Sequence, residues 1–162
     1  MRSARVLRLL LVFMACGIGA AHAGGKASAR RFAEVTVRVS GDVEAAMVDN
    51  RGRRTGRYHG LAEDIPGCRL EAIADDVAEP QDYTFHFLKR GDESYRLLVE
   101  PRTEGEVEIS VTASCLNMKL CAARADSTLN EGEYQWRLSW RAARDSCHVA
   151  IMPVPPKSAV AR

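Results

Sequence analysis

Residues 83–113 carry the most regular pattern in the chain: Tyr83, Phe85 and Phe87 alternate with Thr84 and His86, then Tyr95, Leu97 and Val99 with Arg96 and Glu100, then Val107, Ile109 and Val111 with Glu106, Glu108, Ser110 and Thr112. A period of two places one set of side chains on a buried face and the other in water, which predicts three strands. Arg90-Gly91-Asp92-Glu93 offers a tight turn between the first two, and the connection between the next two starts at Pro101, which cannot donate to a ladder. The pattern therefore predicts an antiparallel three-stranded meander, whose apolar face needs a second layer to cover it.

The same period recurs elsewhere. Ala33, Val35, Val37 and Val39 predict a strand ended by Gly41-Asp42, and residues 44–49 a weaker one stopped by Asn50-Arg51-Gly52. Residues 51–67, with four arginines, four glycines and Pro66, are too punctuated for a regular element and read as one long loop. Cys68, Leu70 and Ala72 begin a short strand, and an acidic connection over 75–82 follows. Residues 114–127 fit a turn of helix as well as a strand. Tyr134, Leu138 and the two tryptophans Trp136 and Trp140 restore the alternation, and Cys147, Val149 and Ile151 form the last strand before Pro153, Pro155 and Pro156. About eight strands and no long amphipathic helix predict an all-β chain, a single antiparallel β-sandwich spanning 32–153 with a flexible tail over 154–162.

The N-terminal region has a different character. Arg2, Arg5 and Arg8, a short apolar run and Ala21-His22-Ala23 have the layout of a secretory signal peptide over 1–23, followed by a flexible segment over 24–31. The run is short of the about 20 apolar residues that span a bilayer, so no stable membrane insertion is expected. Cys16 offers a competing reading as a lipidated first residue, although Phe13 stands where such signals carry leucine. Removing residues 1–23 takes away three arginines and no acid, turning the formal net charge of +2 into −1. Nothing in that balance calls for nucleic acid or an anionic membrane.

Secretion also changes how the cysteines are read, because disulfides persist in a periplasmic or extracellular compartment. Cys68, Cys115, Cys121 and Cys147 allow three pairings. The short Cys115-to-Cys121 spacing suits a local bridge, which leaves Cys68 for Cys147. The alternative joins Cys115 to Cys147, since both continue the inward parity of their strands and would staple two sheets. No spacing here matches a zinc site, and neither a metal nor another cofactor is expected.

The succession Asp49-Asn50-Arg51-Gly52-Arg53-Arg54-Thr55-Gly56, then Ile65-Pro66-Gly67, then two aromatic alternating strands and Gly105-Glu106-Val107-Glu108-Ile109-Ser110-Val111 resembles bacterial extracellular β-sandwiches such as pre-peptidase C-terminal-like modules. The likeness covers 47–113 and rests on turn chemistry; beyond Cys115 the chain departs from it. It implies an accessory or binding module rather than a particular activity.

Candidate chemistry is sparse. His59, His86 and His148 are isolated in sequence, and no nucleophile elbow, zinc-protease motif or phosphate loop accompanies them. Glu63-Asp64 and Asp75-Asp76 read as solvated loop charges, Arg90-Gly91-Asp92 as a hairpin turn, and Trp136 and Trp140 as core. The best candidate site is Arg51, Arg53, Arg54 and Arg57 with Tyr58 and His59, because guanidinium forks recognise carboxylates and phosphates bidentately. The expected function is non-catalytic: a secreted or periplasmic protein that binds an envelope or extracellular protein through the 51–67 loop, as accessory or inhibitor. A module for carbohydrate or the cell envelope, holding polysaccharide on its tryptophans, is the alternative, and a hydrolase using His59 or His148 the third.

Overall fold

The computed structural model describes residues 32–74, 80–91, 93–116, 120–142 and 146–155. The expected signal peptide with Cys16, the 24–31 segment, Asp75-Asp76 and the tail beyond 155 lie outside them. Two antiparallel sheets face each other. One has the order β5 (Cys68–Ala74), β6 (Pro80–Arg90), β1 (Phe32–Ser40), β8 (Gly105–Cys115), β9 (Leu120–Leu129); the other runs β11 (Cys147–Val154), β10 (Tyr134–Ala142), β7 (Glu93–Pro101), β2 (Val43–Val48), β3 (Arg54–Arg57), β4 (Leu61–Glu63).

The period-two pattern becomes the core directly. Val35, Val37 and Val39 of β1 lie in register with Phe87, Phe85 and Tyr83 on one side and with Ala113, Val111 and Ile109 on the other. Facing them, Met47 pairs with Leu97 and Leu97 with Trp136, while Tyr95 pairs with Leu138. All of these side chains are buried, and each valine, leucine, isoleucine, phenylalanine or methionine among them is worth about 1.5–3 kcal/mol relative to exposure. Phe87 of one sheet meets Tyr95 and Trp140 of the other at ring-centroid distances of 4.8 and 5.4 Å, and Tyr95 stacks on Trp140 at 5.2 Å. Both tryptophans are core, as expected, and neither offers a ring face to a sugar.

The meander is not formed. β6 and β8 lie in the five-stranded sheet with β1 between them, whereas β7 lies in the facing sheet between β2 and β10. A short turn between alternating strands reads the same whether it closes a hairpin or carries the chain to the opposite sheet; packing decides, and the valines of β1 fill the row between Phe85 and Val111. The described residues form eleven strands rather than eight. The additional ones are β9, where the sequence fitted strand or helix equally, and β3 and β4, which turn most of the expected 51–67 loop into a hairpin.

The disulfide also differs from expectation. It joins Cys121 to Cys147, so neither the Cys115–Cys121 nor the Cys68–Cys147 bridge exists. Cys68 is on β5, at the opposite edge of its sheet from β9, whose Cys121 lies 6.1 Å from Cys147 between Cα atoms; the four strand spacings of about 4.8 Å from β5 to β9 far exceed the about 7 Å between Cα atoms that a disulfide tolerates. Burial pushes the Cys68 thiol up to about 12, which keeps it protonated and inert. The staple between sheets that inward parity implied is present, with Cys121 in the place of Cys115. Cys115 is buried, its sulfur within 4.8 Å of both bonded sulfurs. Among the described residues no helix is long and apolar enough to cross a membrane.

Candidate functional site at the β3–β4 hairpin

The chain leaves β2 at Val48 and must reverse into β3. Asp49 makes the reversal: Oδ1 accepts the amides of Arg51 and Arg53 at 2.9 Å each, and Oδ2 accepts the Arg53 guanidinium at 2.7 Å. Gly52, with φ of 79°, supplies the left-handed position between them. Burial alone would raise the Asp49 pKa, but these bonds from Arg53 and from the two amides outweigh it and hold the carboxyl below its usual range. A folded pKa below the unfolded one contributes stability that is present above about pH 4 and is lost as pH falls through the folded value. Asp49→Ala should therefore cost about 2–3 kcal/mol at neutral pH and flatten the acid limb of the stability profile. Thermal melts across pH 2–7 check this, and parallel curves for parent and variant would refute it.

Past the turn, Gly56 of β3 lies against the β2 backbone. Thr55 is fully buried and its Oγ1 accepts the Ile65 amide at 3.1 Å, tying the far end of β4 back to β3. Tyr58 is buried although it leaves β3 at the surface, because its hydroxyl donates to Glu133 Oε2 at 2.6 Å beside β10. That bond, then one from Gln135, lowers the Glu133 pKa, while burial, followed by the bond to Glu133, raises that of the Tyr58 phenol. His59 takes a left-handed φ of 51°, rare for a residue with a Cβ. Its amide donates to Glu44 Oε2 at 2.9 Å and its Nε2 lies 3.5 Å from Glu100 Oε2.

The six expected site residues thus divide by role. Arg53 is held by Asp49, and Tyr58 and His59 anchor the hairpin to Glu133, Glu44 and Glu100. Arg57 pairs with inward-facing Ala45 and is half-buried; its charge partly offsets the burial that raises the Tyr83 phenol pKa. Arg51 and Arg54 are exposed, and no carboxylate among the described residues forms an ion pair with either.

Glu44, His59 and Glu100 place their ligand atoms within 4.8 Å of one another, close enough to hold a cation. These groups are already engaged within the protein, Glu44 by the His59 amide and by Arg102 Nη2 at 3.6 Å, and Glu100 by the His59 imidazole. His86 lies between Glu34 and Glu71, at 3.1 and 3.3 Å. Neither imidazole has a hydroxyl or thiol hydrogen-bond partner among the described residues. Asp49, Glu44, Glu100 and Glu133 escaped the sequence reading because their roles depend on register; the one local signal was Asp49 preceding an Arg-Gly turn. Comparison of the chain with protein families, with curated proteins and with solved structures found no match.

Proposed function

We propose that the protein is a non-catalytic binding protein of the periplasm or extracellular space, which docks another protein on the β3–β4 end of the six-stranded sheet as an accessory or inhibitor. The observation that carries this reading is the pair of exposed guanidinium groups, Arg51 and Arg54, beside Arg53, Tyr58 and His59, whose side chains are spent on fixing the shape of the hairpin and its turn. Charges presented on a preformed backbone lose less ordering entropy on binding than charges on a free loop. The disulfide and the signal-like N-terminus favour an oxidising compartment.

Capture of a stoichiometric protein from the native envelope or culture fluid tests the reading. Arg51→Ala/Arg54→Ala should weaken that capture at least tenfold, with stability changed by no more than about 0.5 kcal/mol, as for other exposed positions. Unchanged affinity would remove the hairpin from the interface. Retention on envelope polysaccharide with no protein bound would replace the reading with the carbohydrate one.

A further inference from the structure

The outer face of the six-stranded sheet carries an arrangement that the hairpin reading does not use. Arg96 of β7 and Arg137 of β10 are directly opposed across the ladder. Their Cβ atoms are thus held at about 4.5–5.5 Å, where like charges repel. Arg141 follows on the same face of β10, two pleats along, and Ser94 and Ser139 form the next opposed pair. All three arginines are exposed, and no carboxylate among the described residues forms an ion pair with any of them. Arg96 acts on Glu133 only at longer range, as one of the weaker influences lowering its pKa.

These side chains line a shallow depression of about 370 Å³, bordered by the exposed Met152 of β11 and reaching to Asp49 and Asn50 at the hairpin turn. Among the described residues that line it, Asp49 is the one carboxylate, and Arg53 occupies it. Arg54 pairs with Val48, Val48 with Arg96 and Arg96 with Arg137, so the basic row runs straight from the proposed docking hairpin to β10. On the five-stranded sheet, Arg124 of β9 is placed differently, 3.1 Å from both Glu108 and Asp126.

We propose that Arg96, Arg137 and Arg141 form an oxyanion-binding surface that receives the carboxylates of an acidic, extended segment of the partner protein. The inference rests on the docking reading above and specifies the chemistry of what docks. Two guanidinium forks set side by side can converge on one carboxylate, with Arg141 taking an acidic side chain four residues further along a strand laid parallel to β10. An anion between Arg96 and Arg137 replaces their repulsion by two attractions, and the serine hydroxyls supply neutral donors between the charged positions.

The test titrates the purified protein with a fluorescent peptide of alternating glutamate and serine, with heparin oligosaccharide and with inorganic phosphate, each at low and physiological salt. The peptide should bind, weaken with salt, and lose at least tenfold in affinity for Arg96→Gln and for Arg137→Gln. Arg124→Gln should bind as the parent does. Both test variants should melt no lower than the parent without ligand, and the peptide should raise the melting temperature of the parent but not theirs. Absence of peptide binding at low salt, equal losses in Arg124→Gln, or binding of heparin or phosphate in preference to the peptide would each overturn the proposal. Capture of the protein partner separates the two readings. If Arg51→Ala/Arg54→Ala loses the partner and Arg96→Gln/Arg137→Gln keeps it, the hairpin stands and this surface falls; if both keep it, both fall.

Discussion

Gly56→Ala should detach the β3–β4 hairpin from the sheet. Gly56 adopts φ of 139°, and a Cβ there would sit 2.4 Å from the Ala45 carbonyl oxygen and 2.5 Å from the Ala46 Cα. Both are backbone atoms of β2, so no side chain can swing away; either the β2–β3 ladder opens or the substituted residue changes conformation. Left-handed strain and overpacking together give an expected loss of roughly 3–5 kcal/mol. Gly52 is the control: its φ of 79° is also left-handed, but nothing lies within 4 Å of a Cβ there, so Gly52→Ala should cost only about 1–2 kcal/mol. Amide exchange localises the damage. Gly56→Ala should deprotect Thr55 and Ile65 while Val35, Val37 and Val39 stay protected, and uniform loss across both sheets would mean that the hairpin is part of the global folding unit.

Removing the disulfide is the second large effect. Cys121 and Cys147 are 26 residues apart in sequence, and a closed loop of that size is worth about 3.5 kcal/mol in the chain-entropy model. They lie on β9 and β11, the edge strands of the two sheets on the same side of the sandwich, so the bond clamps the place where the layers would part. Cys121→Ala/Cys147→Ala should lose about that amount by chemical denaturation. Peptide mapping of the parent without reduction should recover the Cys121–Cys147 link; a Cys115–Cys147 or Cys68–Cys147 peptide in its place would overturn the assignment.

Much of the sandwich was legible in the sequence because burial on one face writes itself as alternation. β8 and β10 carry it over nearly their whole lengths, β1 from Val35 to Val39 and β6 from Tyr83 to Phe87, and each of these stretches is strand with its alternating apolar residues inward. Which sheet each strand joins was not legible, since period two is identical in both layers. β9 stayed ambiguous for a related reason: at a sheet edge its inward side chains Ala123, Ala125 and Ser127 are only half-buried, and small residues suffice. The disulfide depended on β9 meeting β11, and the pairing of Arg96 with Arg137 on a register between strands far apart in sequence. The arginines of 51–57 were visible as a group, but their division into anchors and free charges required Asp49, Glu44 and Glu133 to be placed in space.

The position of β1 has a consequence for biosynthesis. The first described strand of the chain lies third in its sheet, hydrogen-bonded to β6 on one side and β8 on the other, while its neighbour in sequence, β2, crosses to the facing layer. A nascent chain emerging N-terminus first therefore presents Val35, Val37 and Val39 with both strand edges open until β6 has been made, at residue 90, and with one edge open until residue 115. Contacts of such long sequence separation place folding in the slow, about millisecond-to-second, range. Until then the chain can still be threaded through a narrow pore; fragments that stop short of β6 carry an unpaired apolar strand with two adhesive edges, and those that stop between β6 and β8 carry one.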